Sequence, residues 1–163
     1  MTSQVGVAPV VQPQVQTSRS YGRLIMFGIL ILASVLYGPA LRGLPIWEDN
    51  QLIRAAGTDS LRECFTRPFL DAYFRPLVSL SFLVDHHFWA GEPFMYHQTN
   101  ILLHVLTTAV WISALQAAFR NWWIAPVGGL MFAVQPAQVS TVAWIGGRTD
   151  SLCALWVALF VWT

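Results

Sequence analysis

Lysine is absent from this sequence, and charge of either sign is scarce. Nine basic residues, all arginine, stand against eight acidic ones among 163 positions, for a formal net charge of +1. That balance supplies no field to attract nucleic acid, so no nucleic-acid partner is expected. Charged residues make up 10% of the chain and hydrophobic ones 55%, with a mean hydropathy of +0.52. A soluble domain averages about 25% charged and about 45–50% apolar, so a water-soluble fold of this size would be starved of surface charge. Cysteine is nearly missing too. Cys64 lies in a polar segment and Cys153 in an apolar run, which argues against a disulfide framework.

What the chain has instead is a series of long apolar runs and one extended polar segment. Residues 1–22 are rich in Val, Gln, Pro, Ser and Thr, carry Pro9 and Pro13, and read as a flexible tail. The tail lacks the basic start of a cleaved signal peptide, so the run that follows reads as an uncleaved span. That run, 24–41, holds no charge and gives roughly 27 Å of helix, close to the hydrocarbon thickness, with Gly38-Pro39 loosening its far end. Further spans are predicted over 97–119, over 122–138, and from 150 through 163. The chain stops inside the last apolar run, so it reads as a piece of a longer protein, inactive on its own.

The segment 42–96 between the first two spans carries Arg42, Arg54, Arg62, Arg67 and Arg75 together with seven of the eight acids. Residues 50–56 and 76–90 read as helices within it. The second begins at Pro76, is too short and too polar at Asp85-His86-His87 to span, and suits the interface, with Phe88 and Trp89 at headgroup level. Residues 23–163 are therefore expected to form an all-α fragment of a polytopic membrane bundle, with an interfacial-helix loop between the first two spans. Arg19 and Arg23 assign the N-terminus to the cytoplasm and the long loop to the extracytoplasmic side. Arginines on that side depart from the positive-inside rule, which is strict only for short loops, and suggest contact with lipid phosphates.

Four constellations carry candidate chemistry. Glu48-Asp49, just past the first span, reads either as a pair for proton transfer or as solvated loop acids beside a helix start. Arg75, before Pro76, has a guanidinium fork suited to two phosphate oxygens, or it snorkels at the interface. His97, Asn100, His104, Thr107 and Trp111 recur at helical spacing, forming a polar stripe that faces protein or water. Its histidines read as hydrogen-bonding glue or substrate lining; a metal site would lack carboxylates, and no ligand cluster supports a divalent metal. Arg148 and Asp150 open the fourth span, where Thr149 or Asp150 is placed to cap the helix.

Trp47-Glu48-Asp49, Phe74-Arg75-Pro76-Leu77, Tyr96-His97 with Asn100 and His104, and Ala143 to Leu152 (AWIGGRTDSL), in this order, resemble the N-terminal part of the transmembrane and tetratricopeptide-repeat O-mannosyltransferases. Those enzymes are of the GT-C class of polytopic glycosyltransferases, and the resemblance covers roughly residues 24–163. It implies inverting transfer of a sugar, mannose by the family, from a polyprenyl or dolichyl phosphate to a protein or glycan acceptor at the extracytoplasmic face. It also implies Asp49 as general base with Glu48 beside it, and Arg75, His97, Asn100, His104, Arg148 and Asp150 as donor-phosphate or site-lining residues. One departure stands out. Where the family shows His-Pro-x-His-x-Glu after the third span, this chain has Gln135-Pro136-Ala137-Gln138-Val139-Ser140, which leaves another sugar open. The alternative is a non-catalytic membrane anchor or assembly module whose polar loop docks a partner protein. A transporter is disfavoured, because charge gathers at span ends and not at the midplane.

Overall fold

The computed structural model describes residues 16–70 and 73–163. Of the expected tail, residues 1–15 lie outside that range. The rest of it is already helical, because α1 runs Gln16–Leu36. No proline interrupts the chain between Gln16 and Leu36, so the helix nucleated by the apolar run extends back through the polar residues before it. At its other end Pro39, which has no N–H, tightens the backbone into a 3-10 turn over Gly38–Arg42.

The polar segment then folds back on the bundle as three helices. In α2 (Asp49–Thr58) and α3 (Leu61–Cys64) the starts are set by local chemistry. Ser60 and Glu63 form a reciprocal capping box, with the Ser60 N–H donating to Glu63 Oε2 at 2.7 Å. Helix α4 (Pro76–Trp89) buries Val78, Phe82 and Asp85, one face at 3–4 spacing, and leaves Val84, Phe88 and Trp89 exposed. Leu52, Ala56, Val78 and Phe82 share a core with Tyr96 and Ile145. Full burial of Leu52, Val78 or Phe82 is worth roughly 1.5–3 kcal/mol each, so this loop is anchored to the spans and does not merely lie beside them.

Gly91, at φ 87, turns the chain from α4 into α5 (Pro93–Ala118), the longest helix and the axis of the molecule. It packs against α1, α6 and α8, and the predicted stripe is buried: His97, Asn100, His104 and Thr107 are all at most 3% exposed. Two helical stretches, Tyr21–Arg42 and Pro93–Ala118, are long and apolar enough to cross a membrane, with mean hydropathies of 2.2 and 1.7. The expected third span is broken. Helix α6 (Ile124–Ala133) has ten residues, about 15 Å, and ends before Pro136; after a turn, α7 (Gln138–Ala143) completes the path. Gly128 and Gly129 let α6 approach α5 closely, since a Cβ on Gly129 would lie 2.3 Å from Ile112. A 3-10 turn, Ile145–Gly147, leads into α8 (Arg148–Trp162). Among the described residues there is no strand, only an isolated Phe69–Tyr73 bridge, so the fold is all-α.

Candidate functional site

The short connection from Trp144 to Thr149 gathers side chains from every part of the acid-bearing end. Asp49, in the first turn of α2, accepts the Gly146 N–H on Oδ1 at 3.0 Å and the Ile46 N–H on Oδ2 at 3.0 Å. Asn100 of α5 donates from Nδ2 to the Trp144 carbonyl at 2.7 Å and lies 3.3 Å from that of Ile145. Arg75, at the start of α4, donates from Nη1 to the Thr149 hydroxyl at 3.3 Å and lays its guanidinium 4.6 Å from the Tyr73 ring. Trp47 meets Trp144 edge to face at 5.1 Å. Segments far apart in the sequence thus converge on one turn.

Arg148 has no exposed surface, which a phosphate ligand would need. Its Nη1 pairs with Asp85 Oδ2 at 2.6 Å, Nε donates to Asn100 Oδ1 at 2.9 Å, and Nη2 donates to the Tyr96 carbonyl at 2.9 Å. Phe82 closes one face of the guanidinium at 4.3 Å. Asp85 is completed by the Thr99 hydroxyl at 2.9 Å. Arg148 therefore joins α4, α5 and α8, and its fork is consumed by the fold. Asp85 is the partner that sequence reasoning missed; a lone carboxylate on the apolar face of α4 was the available signal.

Asp49 is fully buried, whereas its neighbour Glu48 is half-buried with no hydrogen bond to the helix it precedes. Burial pushes the Asp49 carboxyl above the usual range; the Ile46 and Gly146 amides and His97 pull it back in part, and Glu48 adds a small upward push. His97 is buried beside it, its ring nitrogens facing the backbone of Gly43 and Ala143 without a well-formed hydrogen bond to either. The Trp144 indole N–H, folded over Gly146, is also buried and unpartnered. Such orphaned polar atoms are rare in a settled interior. Here they flank the carboxylate.

Two predicted residues stand apart. His104 sits deeper in the bundle, where its Nε2 meets the Ala133 carbonyl at 3.2 Å and its ring stacks on Phe132. Ala133 ends α6, and the break removes the intrahelical partner of its carbonyl, so His104 repairs the backbone of a broken span. Asp150 is exposed and lines a 330 Å³ groove with Trp111, Phe132 and Cys153, none of which belongs to the Asp49 cluster. Neither Thr149 nor Asp150 caps α8: the N-cap is Gly147, without a side-chain bond, and the Thr149 hydroxyl is occupied by Arg75. Both cysteines are free, and among the described residues no group of three or more His, Cys, Asp or Glu side chains could hold a metal ion.

An all-α bundle of transmembrane character is the class that fold and site define, and the GT-C glycosyltransferases are consistent with it. More particularly, the chain resembles the N-terminal part of the transmembrane and tetratricopeptide-repeat O-mannosyltransferases. It is 38% identical over 90 residues to protein O-mannosyl-transferase TMTC1 of Mus musculus, which is 54% of this chain and 10% of that protein. With TMTC2 of Homo sapiens the identity is 35% over 86 residues, 53% of this chain and 10% of the relative. With Tmtc1 of Drosophila melanogaster it is 29% over 136 residues, 76% of this chain and 16% of the relative. The chain thus spans about a tenth of the length of the mammalian relatives it matches. No family model matches it, and no solved structure does.

Proposed function

We propose that this chain forms the acid-bearing end of a multi-pass membrane glycosyltransferase that moves a sugar, mannose by its relatives' names, from a polyprenyl-phosphate donor to a protein hydroxyl at the extracytoplasmic face. The observation that carries the reading is the convergence of Asp49 and Arg75 on the Trp144–Thr149 turn, with Glu48 next to Asp49 in the chain and buried His97 and Trp144 close by.

The geometry favours a division of roles. An acceptor oxygen attacking an anomeric carbon must lose a proton, and a base must come within hydrogen-bond reach of it. Asp49 has no exposed surface and spends both oxygens on backbone amides, so it fixes the turn. Glu48 is the carboxylate with access, and we assign it the proton. Arg75, half-buried and bound only through one nitrogen to Thr149, retains donors for the departing phosphate. His97 and the Trp144 indole N–H are buried, so they support the turn from behind rather than reach the sugar. Arg148, Asn100 and His104 support the site without lining it.

The test uses the complete reading frame that carries this segment. Glu48→Gln should abolish transfer from a polyprenyl-phosphate mannose while leaving melting temperature unchanged; Asp49→Asn should lower both. Transfer that survives Glu48→Gln removes the assignment. The alternative, an assembly module that docks a partner protein, rests on Ser140, where the family resemblance leads one to expect an acid. In that case both variants would leave transfer by the complete protein intact and lose a partner instead. Loop labelling from one side of sealed vesicles checks the topology; modification of residues 50–70 only from the cytoplasm would reverse it.

A further inference from the structure

At the end of the bundle opposite Asp49, Arg23 and Arg120 line a 610 Å³ cavity between the start of α1, the end of α5 and the start of α6. Gly22, Met26, Gln116, Trp122 and Pro126 complete much of its wall, and the Gln116 amide ties α5 to α1 through Met26 Sδ at 2.9 Å. The 26 residues of α5 separate its two ends by roughly 39 Å, more than the roughly 30 Å of a hydrocarbon core. Charge divides between them. Every acid in the chain lies at 48–92 or at 150, so no carboxylate occurs in 16–47 or 93–149, the stretches that build this end. Among the described residues neither Arg23 nor Arg120 makes an ion pair. Two guanidinium groups with unspent donors therefore line one cavity at this end of the bundle, beside an exposed tryptophan of the kind enriched at membrane interfaces.

We propose that this cavity binds the phosphate of an anionic phospholipid, held by Arg23 and Arg120, with the acyl chains along the apolar flanks of α1 and α6. The volume falls within the range of pockets that enclose small ligands. A guanidinium matches phosphodiester oxygens in pairs, and an anionic leaflet concentrates that ligand at the protein surface. The site is separate from the one that handles the sugar donor, and it stands whether or not transfer occurs there.

The full chain in nanodiscs of equal phosphatidylglycerol and phosphatidylcholine, released for native mass spectrometry, tests this. We expect one retained phosphatidylglycerol per chain, favoured over phosphatidylcholine by about tenfold. Arg23→Gln with Arg120→Gln should bring the ratio to near one. Gly22→Leu provides the second arm: Gly22 lines the cavity and a Cβ there meets nothing within 4 Å, so a larger side chain is accommodated and narrows the cavity while both arginines remain. It should abolish the preference equally. A preference that persists in Gly22→Leu means diffuse surface attraction and overturns the site, as does persistence in the double glutamine variant. Displacement of the lipid by millimolar inorganic phosphate overturns the lipid assignment in favour of a free anion.

Discussion

Removing Arg148 should be among the most damaging single changes available in this chain. Arg148→Met takes away the 2.6 Å partner of Asp85 and leaves Asn100 Oδ1 and the Tyr96 carbonyl without their donor, all in a region with almost no solvent access. Breaking a buried ion pair by deleting one member costs about 3–5 kcal/mol, most of it the unpaired charge left behind. For a chain of this size about 1 kcal/mol moves the melting point by roughly 2–4 °C, so a fall of roughly 6–20 °C is expected. Thermal unfolding in detergent, followed by circular dichroism, measures it. The companion variant Arg148→Met/Asp85→Leu removes the stranded carboxylate and should recover part of the loss. Recovery stays incomplete, since Asn100 Oδ1 remains unsatisfied at about 1–3 kcal/mol and the Tyr96 carbonyl, still bonded within α5, loses its second donor. If Arg148→Met melts within about 2 °C of the parent, or the double variant is no better than the single, the pair does not hold the helices together.

Three other changes follow from the same geometry. Gly147→Ala would set a Cβ 2.4 Å from the Thr141 carbonyl oxygen, a backbone atom that cannot rotate away; loss of stability with displacement of the Trp144–Thr149 turn is expected, read by proteolysis of the α7–α8 connection. His104→Leu leaves the Ala133 carbonyl unpaired in the bundle and should cost about 1–3 kcal/mol in the same thermal assay. The third concerns pH. Because burial raises the Asp49 carboxyl in the folded state, the folded chain binds that proton more readily than the unfolded one. The contribution of Asp49 to stability therefore rises as pH falls through its folded value toward the ordinary aspartate value of about 3.9, and is lost again as pH climbs. The parent should gain stability relative to Asp49→Asn between neutral pH and about 4; a gap moving the other way would show an ionised form favoured by its amide donors.

The elements that sequence revealed were those written in periodicity or local chemistry. The run 24–41 and the stripe His97-Asn100-His104-Thr107 each declare a helix and a face, and α1 and α5 follow them. The Ser60–Glu63 box and the proline starts of α4 and α5 are likewise local. What sequence could not supply was pairing across distance. Arg148 reads as an exposed span-end arginine until Asp85, sixty-three positions earlier, is placed beside it; neither residue carries a local sign of the other. The interruption of the helix over 122–138 was hidden for a different reason. Its apolar residues outnumber its polar ones over 122–138, but Pro136 breaks the hydrogen-bond ladder, and hydropathy does not register a missing N–H. The family resemblance points to His104 and Asp150 as site residues, but motif likeness says nothing about depth in the bundle or direction around α8.

The substitution at Ser140 bears on chemistry more than on shape. Ser140 is exposed on α7, and its hydroxyl reaches only the Ala137 carbonyl, at 3.4 Å. The tie between α7 and the turn that receives Asp49 runs instead through backbone: the Thr141 carbonyl packs against Gly147 and accepts the Ser151 hydroxyl at 3.4 Å. Asp49 in turn grips the Gly146 N–H, one residue before that contact. None of these links requires an acid at 140. The turn therefore keeps its geometry without an acid at 140, and on the proposed reading the proton falls to Glu48, the half-buried acid next to Asp49 that makes no capping bond.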